Sequence, residues 1–118
     1  WGEIHAVYCD NAEQVLIQSL RSSLRASPFA WLSSRVHNAR KAPILDRIRL
    51  TSLLMGGGRF FVLPAAQTLA DALATALWSG KRPGQDERLD DGTTDIDTLD
   101  AFEYTIEREY RSLLRMNA

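Results

Sequence analysis

The stretch Asp95-Ile96-Asp97-Thr98-Leu99-Asp100-Ala101-Phe102-Glu103-Tyr104 puts carboxylates at the head of a hydrophobic helix. That conflict limits the possible folds more than any other feature of the chain. Asp97 and Asp100 are three residues apart, which places them on one side of a helix. Leu99, Phe102, Ile106, Tyr110 and Leu113 recur at helical spacing and mark the neighbouring, core-facing side. Acids beside a low-dielectric core are costly unless a cation or a basic side chain accompanies them. Hard divalent cations prefer carboxylate oxygen, so Mg2+ or Mn2+ is one candidate companion. A second reading stands beside it: acids in a first helical turn also complement the helix dipole.

The chain of 118 residues suits one domain with a usable core, and no domain boundary or repeat is visible. A single cysteine, Cys9, excludes an internal disulfide and fits a reducing compartment. No apolar run approaches the roughly 20 residues needed to cross a bilayer, and no signal-peptide pattern opens the chain. The sequence starts on Trp1-Gly2 without a methionine and reads as a fragment or processed piece.

A net charge of -1 conceals a strong polarity. Residues 21–49 carry seven Arg or Lys against the single acid Asp46, whereas residues 86–109 carry ten acids against Arg88 and Arg108. The division suits a protein that grips a polyanion with one region and holds cations with the other. Mutual neutralisation on the surface explains it equally well.

The chain alternates strand-like and helix-like segments. Ile4 to Tyr8 reads as a strand that ends in the polar turn Cys9-Asp10-Asn11. Asp10 or Asn11 is positioned to cap a helix running to about Arg25, which Ser27-Pro28 breaks. Trp31 to Val36 is expected as a second strand. Pro43 opens a helix with Ile44, Ile48 and Met55 on one face, closed by Gly56-Gly57-Gly58. Arg59 to Leu63 is expected as a third strand, rich in bulky β-prone residues. Pro64 starts a helix whose stripe of Leu69, Leu73, Ala76 and Leu77 ends near Trp78, and a polar loop covers Ser79 to Thr94. Strand followed by helix, three times over, predicts an α/β layer structure with parallel strand pairs. Functional groups in such sheets gather at the carboxyl ends of strands, where Asp10 stands. Should the last helix cross the sheet, Asp97 and Asp100 would meet Asp10. Three carboxylates could then hold one divalent ion, or two about 4 Å apart as phosphoryl displacement requires. Asp10 as a plain turn or cap residue is the alternative.

Several segments, in order, resemble the C-terminal nuclease domain of phage terminase large subunits. They are Val7-Tyr8-Cys9-Asp10-Asn11-Ala12-Glu13, Lys41-Ala42-Pro43-Ile44-Leu45-Asp46-Arg47-Ile48, Leu53-Leu54, Gly58-Arg59-Phe60-Phe61-Val62, Leu73, Trp78 and Asp97-Thr98-Leu99-Asp100-Ala101-Phe102-Glu103-Tyr104. The resemblance implies an RNase H-like layered fold, here truncated, with a small mostly parallel sheet flanked by helices. It also implies a Mg2+- or Mn2+-dependent endonuclease, with one or two ions, that cuts concatemeric double-stranded viral DNA during packaging. Asp10 would be the ligand after a central strand and Asp100 the ligand on the last helix. Many members of that family carry a histidine where this chain has Asp97. The family context adds the terminase small subunit and the portal as partners, and the cytoplasm of a phage-bearing host as the location. Two departures are visible. No Gly-x-x-x-x-Gly-Lys-Ser/Thr loop is present for the family's ATPase motor, and nothing before Asp10 except Glu3 could stand for the family's first catalytic aspartate. The chain therefore reads as the later part of the nuclease domain, and the isolated piece is expected to be a poor enzyme that self-associates through an open sheet edge.

Other motifs carry less. Gly56-Gly57-Gly58-Arg59 suits a helix end better than a phosphate cradle. Aligning Gly92 with the glycine of a calcium loop puts Leu89 and Thr98 at ligand positions, so that pattern fails. His5 and His37 have no cysteine partners and no helical pairing for zinc. The serines lack a nucleophile elbow. Cys9 reads as a packing residue. Trp1, Trp31 and Trp78 read as packing residues rather than base-stacking platforms. Arg35, Arg40 and Lys41 are the basic residues expected to touch DNA phosphates, with a solvated loop as the alternative. A non-catalytic DNA- or protein-interaction domain using the arginine-rich middle region is the competing function. A resolvase-like nuclease is a third.

Overall fold

The computed structural model describes residues 3–76, 88–90 and 92–115. The expected roles of Trp1, Leu77 and Trp78, and most of the expected loop 79–94, lie outside the described residues. The protein is a mixed α/β structure, mostly helical, with a small two-stranded parallel sheet. It divides into two compact units, residues 1–40 and 41–118. Among the described residues, no helix is long and apolar enough to cross a membrane.

The first unit is a βαβ arrangement. Strand β1 (Val7–Cys9) leads to helix α1 (Gln14–Arg25), a 3-10 helix (Ala30–Arg35) and strand β2 (Val36–Asn38). The strands are parallel, pairing Val7 with Val36, Tyr8 with His37 and Cys9 with Asn38, and Ala39 N donates to Cys9 O at 2.7 Å. Ile17, Val36 and Ala39 form the buried apolar centre. The expected strand at Trp31 to Val36 is corrected: it is a 3-10 helix, and the strand starts only at Val36. Local hydrogen bonds explain the change. Ser33 Oγ donates to Arg21 O at 3.1 Å, and Leu32 N donates to Phe29 O at 2.9 Å. These tie the segment to α1 and to itself instead of to a ladder. Neither Asp10 nor Asn11 caps α1, whose N-cap is Glu13 with no side-chain hydrogen bond.

In the second unit, Pro43 stands as N-cap before helix α2 (Ile44–Gly56). A 3-10 turn (Pro64–Ala66) leads to helix α3 (Gln67–Thr75). Helix α4 (Ile96–Ile106), a 3-10 turn (Glu107–Glu109) and helix α5 (Tyr110–Arg115) follow. The buried face of α2 is Leu50, Thr51 and Leu54, with Arg47 in line one turn earlier. Met55, expected inside, is 45% exposed. The closing helix is also not continuous to Leu113: it tightens at Glu107, whose side chain is drawn inward (below).

The expected third strand is overturned. Arg59 to Leu63 is extended but forms no ladder among the described residues, and Phe61 is 79% exposed. Side-chain contacts took precedence over pairing. Phe60 packs on Phe102 of α4 with ring centroids 4.9 Å apart, and Arg59 Nη1 donates to Leu113 O at 3.1 Å.

Three glycines close α2 as expected. Gly57 N donates to Leu53 O, Gly58 N to Met55 O and Arg59 N to Leu54 O, which satisfies the last carbonyls. Gly58 adopts φ +65 to do so, with open space where a Cβ would stand. Gly56 is helical and equally open. Gly58→Ala should therefore cost about 1 kcal/mol in urea unfolding. Gly56→Ala should be neutral or stabilising by about 0.5 kcal/mol.

Candidate functional site

The acids of α4 face two arginines of the same unit. Along the helix, Asp100, Glu103 and Glu107 follow the i, i+3, i+7 spacing that brings side chains to one face. Arg47 projects from α2 and Arg88 precedes α4. Arg88 Nη1 donates to Asp100 Oδ1 at 3.0 Å and also to Glu103 Oε1, while Arg88 Nη2 donates to Glu103 Oε2 at 2.9 Å. That fork-to-fork pairing is the strongest geometry open to an arginine and a carboxylate. Arg47 Nη1 lies 3.2 Å from Asp100 Oδ1 and 3.8 Å from Glu103 Oε1. Arg47 Nε donates to Ala42 O at 2.8 Å and lies 3.1 Å from Glu107 Oε1. The Glu103 side chain is only 2% exposed, whereas that of Asp100 is 30% exposed. Asp100 is thus the network's opening to solvent.

Two titrations follow from this setting. Burial alone would lower the Arg88 pKa, but hydrogen bonding to Glu103, the Glu103 charge and the nearby Asp100 outweigh it and raise it. Glu107 shifts the other way for a carboxylate. Burial raises its pKa, aided by the charges of Glu103 and Asp100, and outweighs Arg47 and the Ala42 N–H, which lower it. Glu107 Oε1 has an ionic neighbour in Arg47 but accepts no hydrogen bond among the described residues, which agrees with that direction.

A cavity of about 270 Å³ opens beside the Arg88–Glu103 pair, lined also by Ile48, Thr51, Ser52, Met55, Leu73, Ala76 and Leu99. Its wall is mostly apolar, and its charged pair is mutually satisfied. The Thr51 and Ser52 hydroxyls are the uncharged polar side chains among its described lining residues.

Each residue expected at the site has a definite place. Asp10 belongs to the first unit, directly after β1. Its Oδ1 accepts from Ala12 N at 2.9 Å, closing an Asx turn. Asp97 and Asp100 belong to the second unit. Asp97 is exposed in the first turn of α4, and Asp95 is the N-cap, accepting from Thr98 N at 3.0 Å and Thr98 Oγ1 at 2.6 Å. The Thr98 hydroxyl and backbone N–H hold the Asp95 pKa low. Arg35 pairs with Glu3 at 2.8 Å, donates to Ile4 O and stacks on Trp31 at 4.9 Å. Arg40 and Lys41 are exposed, and Lys41 Nζ lies 6.0 Å from the Tyr104 ring centroid. Arg47, Arg88, Glu103 and Glu107 are site residues that sequence reasoning does not single out. The spacing of the α4 acids, with the rule that an acid near a core needs a basic partner, is the signal that points to them.

Among the described residues, no group of three or more His, Cys, Asp or Glu is arranged to hold a metal ion. Asp100 fits a cation as a one-oxygen ligand. Its Oδ1 is engaged by both arginines, and no described residue donates a hydrogen bond to its Oδ2. No family model, curated protein or solved structure matches the chain.

Removing Arg88 strands Glu103 in a buried setting, so Arg88→Met should cost about 3 kcal/mol. The double variant Arg88→Met/Glu103→Leu should recover most of that loss in chemical unfolding, since a buried pair is often replaceable by apolar side chains. Glu107 yields a pH test. Its raised folded-state pKa means that its contribution to stability is fully present below the unfolded value of 4.5 and is lost as pH rises through the folded value. Glu107→Gln should therefore raise the melting temperature at neutral pH, with the gain shrinking toward pH 4.5 and below.

Proposed function

We propose that the chain is part of a divalent-metal endonuclease of the phage terminase type, acting on double-stranded DNA. The supporting observation is Asp10, which follows β1 at the carboxyl end of a parallel strand pair, where α/β proteins concentrate their chemistry. On this reading Asp10 after β1, and Asp97 with Asp100 on α4, are the carboxylates that would serve as ligands for Mg2+ or Mn2+, which when bound supplies Lewis acidity and activates water for attack on a phosphodiester. The chain's own part is carboxylate positioning. The Asx turn holds Asp10, and Arg47 with Arg88 holds one oxygen of Asp100 so that the other can bind. The ordered resemblance from Val7 to Tyr104 supports the same reading.

One observation favours a second reading, a non-catalytic domain that binds DNA or a protein. Two internal guanidiniums already supply Asp100 with the cationic company that an acid near a core requires. A metal titration separates the two. On the first reading, Mn2+ raises the melting temperature of the wild-type chain, and Asp10→Asn/Asp100→Asn abolishes the rise. Equal Mn2+ shifts in both proteins, or none in either, would favour the second.

A further inference from the structure

The first unit carries a basic cleft that the proposed metal chemistry does not use. Arg21 and Arg25 stand one helical turn apart on α1 and line it together with Ser33, Ser34 and His37. Among the described residues, no acid lines this cleft. Like charges at i and i+4 repel along a helix surface. Among the described residues, Arg35, Arg47, Arg49 and Arg88 each have a carboxylate within 4.0 Å. Among the described residues, Arg21 and Arg25 have none.

The Arg21 guanidinium is nonetheless anchored. Arg21 Nη2 donates to Val36 O at 2.8 Å, at the start of β2. Ser33 Oγ returns a hydrogen bond to Arg21 O at 3.1 Å, which locks the 3-10 helix against the same turn of α1. Arg25 Nη2 donates to Ser22 Oγ at 3.2 Å. A guanidinium has five N–H donors in a planar fork, so each arginine keeps donors beyond those it uses here. His37 adds an imidazole from β2, its ring tilted against Tyr8 at 6.1 Å. An anchored arginine, a second arginine and an imidazole around a cleft with no acid among its described lining residues suit an oxyanion, and arginine forks match phosphate in particular.

We infer that the cleft formed by Arg21, Arg25 and His37 binds a backbone phosphate of double-stranded DNA. The assignment rests on the DNA-partner half of the proposed function and is independent of its metal half. It moves the DNA contact from Arg35, whose charge is taken up by Glu3, to arginines with no acid beside them.

The test uses the 118-residue chain in EDTA, so that metal plays no part. Binding of a short fluorescent duplex is followed by anisotropy between about 50 and 200 mM salt. Arg21→Gln/Arg25→Gln should weaken binding about tenfold or more at the lower salt, and should reduce the slope of log K against log salt by about 1 for each phosphate that the variant no longer neutralises. Arg25→Gln alone removes only an exposed bond to Ser22, so it guards against misfolding and should show the same trend at about half the effect on the slope. Wild-type affinity in both variants would overturn the site while leaving DNA as a partner. Absence of duplex binding by the wild-type chain would overturn both. A third arm adds inorganic phosphate and follows the His37 ring resonances by NMR. Phosphate that shifts them while both variants keep full DNA affinity would reassign the cleft to a small free anion and overturn the proposal.

Discussion

The second unit is organised around charge that has been taken out of water. Three carboxylates, Asp100, Glu103 and Glu107, meet two guanidiniums, Arg47 and Arg88, leaving one negative charge if all are ionised. Desolvating five ionic groups costs several kcal/mol each unless every one finds a partner. The local structure reflects that demand. Arg47 is in line with the buried face of α2, the final helix tightens into a 3-10 turn at Glu107, and Glu107 Oε2 accepts from Ala42 N at 3.4 Å just before α2 begins. Leu50, Leu54, Ala72, Leu99 and Tyr104 supply the apolar burial. The ionic network determines which faces of α2 and α4 turn toward them.

The first unit solves a different problem with fewer residues. Two strands of three residues each offer little ladder, and a parallel pair gains less per residue than an antiparallel one. Side chains add ties that the ladder cannot provide. Arg21 reaches the carbonyl at the head of β2, Ser33 reaches back to α1, and Gln14 bridges Asn11 O at 2.7 Å and Asn38 Oδ1 at 3.2 Å beyond the strand ends. The arginine that holds the unit together also faces the basic cleft. Structure and proposed recognition therefore draw on one side chain.

Much of this was legible in the sequence, for reasons that can be stated residue by residue. Helix limits set by chain stereochemistry were readable: the glycines that end α2 and the proline before it follow from local rules. Strands were less so, because β pairing depends on a neighbour that composition cannot supply. Phe60-Phe61-Val62 has strong strand propensity, yet its first aromatic packs on a helix and no ladder forms among the described residues. Helix faces misled where charge was buried. An apolar stripe groups Met55 with Ile44 and Ile48, yet Met55 is 45% exposed while the Arg47 side chain is only 9% exposed. The conflict at the head of the last helix was readable. Its resolution by two arginines was not, because Arg47 and Arg88 are distant in sequence from most of the acids they meet.

That resolution changes what Asp100 can offer chemically. An aspartate beside a core can bind a cation with both oxygens only if nothing else claims them, and here both guanidiniums claim Oδ1. One oxygen remains, on the half-open side of the network. A divalent ion there would carry the local charge from one negative to one positive, with Arg47 and Arg88 opposing it at short range. Such binding becomes favourable only when further carboxylates outside the network join the ion and restore the balance. Asp97, exposed in the first turn of the same helix, is the nearest such carboxylate in sequence. The two arginines therefore weaken the pull of Asp100 on any lone cation that reaches its open side.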